Sequence, residues 1–184
     1  MNAMPRSAAT IAAVLGLLTA PVMAADVKPA TIAAPTTAPA TVTDGKAEGT
    51  LTVNGKVTKV AYAYARSVPG FFDKTKNDTQ VIVSDVPLDA KALADEFTRI
   101  HMGEQGKLHA IEVTIDATGA AISTSWRSDG FKGPTPSGQS SDNVFTKTVF
   151  DGKTVAGGYK SMSPGEFFGN IFAFDVTFRA AIAH

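Results

Sequence analysis

The chain has 184 residues, with 17 Lys plus Arg against 17 Asp plus Glu and no cysteine. The lack of cysteine excludes disulfides, thiolate metal sites and a cysteine nucleophile. The balanced charge, with lysines dispersed along the chain, argues against a nucleic-acid partner.

Residues 1–24 have the pattern of a secretory signal peptide, with Arg6 as the basic region and Ile11–Ala20 as the apolar segment. A retained membrane anchor is the alternative, but a span needs about 20 strongly apolar residues. Cleavage after Ala24 removes only Arg6 among the ionisable side chains, which leaves 16 basic residues against 17 acidic ones. We therefore expect an exported protein, periplasmic or extracellular, with no membrane span after cleavage.

Residues 25–44 are rich in Ala, Thr and Pro. Such a segment buries too little apolar surface to offset its ordering entropy, so it is predicted to be a flexible leader. Residues 45–184 are predicted to form a single β-rich globular domain.

The domain begins with a predicted hairpin. Thr50–Val53 and the run from Lys56 to Arg66 are separated by Asn54-Gly55, a pair that favours a two-residue turn because both residues accept positive φ. In the second arm, the alanines Ala61, Ala63 and Ala65 alternate with two tyrosines. A face made of alanine allows another element, or a ligand, to approach closely.

A third strand, Thr79–Val86, is followed by one predicted helix that starts at the cap residue Asp89 and ends near Met102. The helical spacing predicts an apolar stripe facing the sheet, composed of Ala90, Leu93, Ala94, Phe97, Ile100 and His101. The same spacing places Lys91, Asp95 and Arg99 on the solvent side.

Two further hairpins are predicted. One joins Leu108–Asp116 to the strand that carries Trp126, and the other joins Val144–Phe150 to Lys153–Lys160 through a type I′ turn at Asp151-Gly152. The intervening Arg127–Asn143 segment is predicted to be a long loop. A short helical turn is predicted at Pro164–Phe168.

The last segment, Ile171–Ile182, alternates apolar and polar residues, and its apolar face carries three phenylalanines: Phe172, Phe174 and Phe178. This pattern predicts a half-buried strand that pairs at a sheet edge or closes a barrel. The overall prediction is a mainly β fold, either an antiparallel β-sandwich or a small closed β-barrel of about eight strands with one inserted α-helix.

Two groups of residues are candidates for binding. Aromatic side chains on loops and on one strand are candidates for ligand binding: Phe71, Phe72, Trp126 and Phe131. His101 and His109 are candidates for a metal site, because a short return through Gly103 and Gly106 can bring them to one corner. No catalytic residue and no cofactor are predicted.

The predicted function is that of an exported, non-enzymatic β-domain that binds a small apolar ligand or a protein partner. The absence of a nucleophile elbow or another catalytic spacing supports this reading. A small hydrolase or metal-dependent enzyme that uses His101 and His109 is one alternative. A structural component of the cell envelope is another.

Overall fold

The computed structural model describes residues 45–184, so the predicted signal peptide and leader lie outside the described residues. Within residues 45–184 there are eleven strands and two helices. The strands are β1 (Lys46–Val53), β2 (Lys56–Lys59), β3 (Tyr62–Pro69), β4 (Asn77–Ser84), β5 (Ala110–Ile115), β6 (Ala121–Arg127), β7 (Ser137–Gly138), β8 (Asn143–Phe150), β9 (Thr154–Ser161), β10 (Gly165–Phe167) and β11 (Asn170–Ala183). The helices are α1 (Ala90–Ala94) and α2 (Glu96–Glu104), and neither is long and apolar enough to cross a membrane.

All eleven strands belong to one sheet, which curls into a half-barrel. The strand order is β7-β6-β5-β4-β3-β1-β11-β9-β8, while β2 pairs with β1 and β10 pairs with β11. The predicted mainly β, antiparallel character is confirmed, but a sandwich or closed barrel is not. The prediction of about eight strands is wrong, because the run from Lys56 to Arg66 divides into β2 and β3, and two short strands, β7 and β10, lie in segments predicted to be a loop and a helical turn.

The three predicted hairpins are all present, as β1–β2, β5–β6 and β8–β9. Asn54 and Gly55 both have positive φ, 49° and 81°, as the predicted two-residue turn requires. The β8–β9 turn is wider than predicted. Its three residues are held by the Asp151 carboxylate, which accepts hydrogen bonds from the backbone N–H groups of Lys153 and Thr154.

Strand β11 confirms the predicted alternation along its whole length. Its phenylalanines face the inside of the half-barrel. The predicted edge position is wrong, because β11 lies in the middle of the sheet, between β1 and β9. Placement between two partners removes the exposed edge that a long aromatic strand would otherwise present.

The inside of the half-barrel is filled by aromatic and branched side chains. Trp126 lies 4.9 Å from Phe172 between ring centroids, and Tyr159 lies 4.9 Å from Phe174. The Tyr159 hydroxyl forms a hydrogen bond with the Thr124 hydroxyl, and burial raises the pKa of Tyr159 above its usual value. The interior is therefore a packed core.

The predicted single helix is interrupted at Asp95, whose extended backbone (φ −113°, ψ 115°) ends α1 and begins α2. The Asp95 carboxylate accepts hydrogen bonds from the backbone N–H groups of Phe97 and Thr98, which is the usual role of an aspartate at a helix start. The break changes the helical phase. Arg99 is fully buried and Phe97 is 72% exposed, so the predicted orientations of these two side chains are wrong.

Both helices lie on the outer face of the sheet, opposite the aromatic core. Apolar residues from the sheet and from the segments around the helices form a second, smaller cluster there: Ile82, Leu88, Ala92, Leu108 and Ala110. The helices thus cover the part of the outer face formed by β4 and β5, while outward residues of β1, β9 and β11 remain exposed.

Candidate functional site

A cleft of about 600 Å³ lies between helix α1 and the outer side of the sheet, where β3, β4 and β11 come together. Its lining residues are Gly45, Ala63, Tyr64, Ala65, Arg66, Gln80, Ile82, Ala90, Leu93, Ala94, Ala180, Ala181 and Ala183. Seven of these thirteen residues are alanines. The cleft wall is therefore apolar over most of its area.

Two features of the backbone produce this cleft. Strand β3 pairs with β1 at only one position, Tyr62 with Lys46, and then runs parallel to the end of β11, where Ala65 pairs with Ile182. A seam between β3 and β11 results. Because α1 and the outer side of β11 present mostly the methyl groups of Ala90, Ala94, Ala181 and Ala183 there, the space above the seam is not filled.

Arg66 and Gln80 form the polar end of the cleft. The Arg66 Nε donates a hydrogen bond to Gln80 Oε1 at 2.7 Å, and its Nη1 donates to the carbonyl oxygen of Ala94 at 3.2 Å. The hydroxyl of Tyr64, another lining residue, accepts a hydrogen bond from the backbone N–H of Leu88 at 3.0 Å. The polar groups of the cleft are thus held in fixed positions.

A buried ionic network lies next to this polar end, beneath the two helices. Arg99 and Glu112 form a two-pronged pair, with Nε to Oε1 and Nη2 to Oε2 both at 2.9 Å. The Arg99 Nη1 also donates to the carbonyl oxygens of Ala92 and Leu93 in α1, at 2.7 and 3.2 Å. With Arg99 at 0% and Glu112 at 3% exposure, this pair fixes α1 and α2 to β5.

Arg127 of β6 extends the network. Its Nη2 donates to Glu96 Oε1 at 2.7 Å, and its Nε lies 2.9 Å from Glu112 Oε1. The Nε–H does not point at that oxygen, so this second contact is an ion pair without a hydrogen bond. Glu112 therefore balances charge from two arginines at once.

Gln80 connects the network to the cleft. Its Oε1 accepts from Arg66, while its Nε2 donates to Glu112 Oε2 at 3.4 Å. Gln80 and Glu112 lie on neighbouring strands, on the same outer face of the sheet as Arg66. A neutral amide thus separates the Arg66 guanidinium from the nearest buried carboxylate.

The two predicted metal-site histidines have separate partners. His109 is buried, its Nδ1 lies 2.8 Å from Asp85 Oδ2, and its Nε2 lies 2.9 Å from Asp129 Oδ1. His101 is exposed on α2 and its Nδ1 lies 3.1 Å from Glu104 Oε2. No group of three or more metal-binding side chains is found among residues 45–184.

The four aromatic residues predicted to bind ligand lie in two places. Phe71 and Phe72 are 68% and 78% exposed and contact each other edge to face in the β3–β4 loop. Trp126 and Phe131 are buried and both pack against Phe172 in the core. None of the four lines the cleft.

Sequence reasoning missed Arg66, Gln80, Arg99 and Glu112 as a connected set. The alanine face of Ala63 and Ala65 predicted close approach of another element or a ligand, but these two side chains belong to the core inside the half-barrel and not to the outer side on which the cleft opens. The reason that the network forms was not visible in the sequence. It lies in the structure of β5 and not in its alternation: Glu112 shares the polar face of the strand with Thr114, yet it is buried, and a buried carboxylate needs a cation.

No family model matches this chain, and comparisons with curated proteins and with solved structures find no significant similarity. The lining of the cleft and the charged side chains next to it are therefore the basis for proposing a function.

Proposed function

We propose that this is an exported, non-enzymatic binding domain whose cleft between α1 and the sheet holds a small apolar ligand. The observation that carries the proposal is the combination of volume and lining. A cleft of about 600 Å³ falls within the range of about 300–1,000 Å³ that is usual for small-molecule sites. Its wall is mostly methyl groups with a few fixed polar groups at one end, as such sites generally have.

The packing inside the half-barrel supports the same location. A ligand inside the sheet would have to displace the aromatic rings of Trp126, Phe172 and Phe174, which contact one another. The cleft on the outer side requires no such displacement. Binding there would bury the methyl groups of α1 and β11, with a gain of about 25 cal/mol for each Å² of apolar surface removed from water.

A neutral fluorescent probe, N-phenyl-1-naphthylamine, tests this proposal with the full chain. We expect its emission to rise on binding and to saturate at one molecule per chain. The variant Ala181→Phe places a ring in the cleft from an exposed position on β11. We expect this variant to keep its fold and to lose probe binding.

The matched control is Ala173→Phe, which makes the same change on the same face of β11, eight residues away and outside the cleft lining. It should bind the probe as the unmodified chain does. Equal loss of binding in both variants, or saturable binding that Ala181→Phe leaves intact, would place the apolar site elsewhere.

Export and the absence of catalysis are parts of the proposal that need their own measurements. Cell fractionation should recover a processed chain in the periplasm or medium, whereas an anchored chain would favour the structural envelope component.

For the enzyme alternative, Ala substitutions at His101 and His109 are informative. A hydrolytic or metal-dependent activity that disappears in either stable variant would contradict the non-enzymatic reading.

A further inference from the structure

Arg66, at the polar end of the cleft, has no acidic partner among residues 45–184. Across residues 45–184, no carboxylate lies within 4.0 Å of its guanidinium, and no hydrogen bond uses its Nη2. The two neighbouring arginines differ in this respect. Arg99 and Arg127 share the carboxylates of Glu112 and Glu96.

The pairing of the three arginines is therefore unequal. The two network arginines contact two glutamates, whereas Arg66 has no carboxylate within 4.0 Å. The residue that links Arg66 to the network, Gln80, is neutral and cannot act as a counter-ion. A guanidinium is charged at any physiological pH, so the positive charge at this end of the cleft is permanent.

Arg66 is also held in place before any ligand arrives. Gln80 fixes Nε and the Ala94 carbonyl fixes Nη1, and these two bonds define the plane of the guanidinium. A guanidinium that is already oriented loses little side-chain entropy when it pairs with an anion. Its remaining N–H groups can make charge-assisted hydrogen bonds to a carboxylate or phosphate oxygen.

From these observations we infer that the ligand is an anionic amphiphile, whose negatively charged oxygen-bearing head group pairs with Arg66 and whose apolar tail lies among the alanines of the cleft. This inference depends on the proposed function, because it names the class of ligand for the same cleft. Carboxylate and phosphate head groups share the required chemistry, so the binding of one compound of each kind is compared.

Competition against the fluorescent probe tests the inference with four compounds that share a ten-carbon chain: decanoate, decyl phosphate, decanol and decyltrimethylammonium. We expect one or both anions to bind the full chain about 10- to 100-fold more tightly than decanol, as a charge-assisted hydrogen bond implies. The cationic compound should bind most weakly. The stronger of the two anions identifies the head group.

The variant Arg66→Gln should abolish the preference for the anions over decanol. The control Lys160→Gln removes a positive charge from an exposed position on β9, away from the cleft, and should keep the preference. A salt titration of the unmodified chain gives a second reading that needs no variant. Rising ionic strength should weaken the binding of the anion and leave decanol binding unaffected.

The outcomes separate the two proposals. Anions and decanol that bind equally well, or a preference that survives in Arg66→Gln, would overturn the head-group inference and leave the apolar cleft in place. Failure of all four compounds and of the probe to bind the unmodified chain would overturn the proposed function, and the inference with it.

Discussion

The two faces of the sheet achieve burial in different ways. The inner face of the half-barrel carries no charged side chain in its main cluster and is mostly apolar, with aromatic rings from β6, β9 and β11 in mutual contact. The outer face carries a fully buried arginine and glutamate under α1 and α2, with an open cleft beside them. Adjacent residues of one strand show the contrast, since Ile111 faces the core and Glu112 faces the helices.

This difference has an energetic consequence. An apolar side chain in the core contributes roughly 1.5–3 kcal/mol by its own burial. A buried ion contributes only if its partners are present, because the desolvation of each charge is of the same order as the attraction between them. We therefore expect the inner face to lose stability in proportion to the volume removed, and the outer face to respond to whether its charges remain matched.

Loss of Glu112 should have the largest effect. Glu112→Ala leaves the guanidinium groups of Arg99 and Arg127 in a buried position without their shared carboxylate. We expect a destabilisation of about 3–5 kcal/mol, measured by chemical denaturation. Glu48→Ala, at an exposed site on β1, should change the free energy of unfolding by less than about 0.5 kcal/mol. Similar losses in both variants would show that the network is not what holds the helices.

Replacing the whole network should undo that loss. A triple variant with Arg99→Met, Glu112→Leu and Arg127→Met removes all the buried charges of the network and keeps much of the volume. We expect this variant to be at least as stable as the unmodified chain, with a free energy of unfolding that is higher by up to about 1–4 kcal/mol. The same denaturation experiment measures it. A triple variant as unstable as Glu112→Ala would mean that the outer face depends on the hydrogen bonds from Arg99 to the α1 carbonyls.

The inner neighbour of Glu112 provides the apolar counterpart. Ile111 is 1% exposed in the main core, and Ile111→Val removes a single methylene there. We expect a destabilisation of about 0.5–1.5 kcal/mol that is independent of ionic strength. A larger effect than that of Glu112→Ala would reverse the comparison between the two faces.

The sequence was sufficient to predict the inner face. Strict alternation in β11 and the turn residues Asn54-Gly55 have local causes, namely the two-residue period of a strand and the positive φ of a tight turn. The position of β11 within the sheet was not predictable in this way. It depends on which distant strands pair with each other, and alternation carries no information about partners.

The outer face was less predictable because its residues contradict their usual surface preference. Helical spacing assigned Arg99 to solvent, since the spacing assumes an unbroken helix and treats every charge as exposed. The cap at Asp95 resets the phase, and Glu112 then supplies the partner that allows Arg99 to be buried. The cap residue Asp95 inside the predicted helix is the local signal of the change of phase. Glu112 carries no such signal, because it alternates with Ile111 and Val113 as a solvent-facing residue would.

Replacing Asp129 should have the smallest effect. It tests whether a partly exposed ionic contact depends on pH and salt in a way that the buried network does not. Hydrogen bonds from His109 and Lys56 hold the pKa of Asp129 below its ordinary value. Because the folded pKa is lower than the unfolded one, the stabilisation is complete above the unfolded pKa of about 3.9. It is lost as the pH falls through the lower folded value.

Asp129→Asn should therefore be less stable than the unmodified chain near neutral pH, and the difference should shrink below about pH 4. The Asp129 side chain is 38% exposed, so added salt should also reduce the difference. Thermal melts of the two proteins across pH, at low and high salt, measure both trends. A difference that persists in acid would assign the effect to packing. A difference that added salt leaves unchanged would show that solvent does not screen the contacts of Asp129.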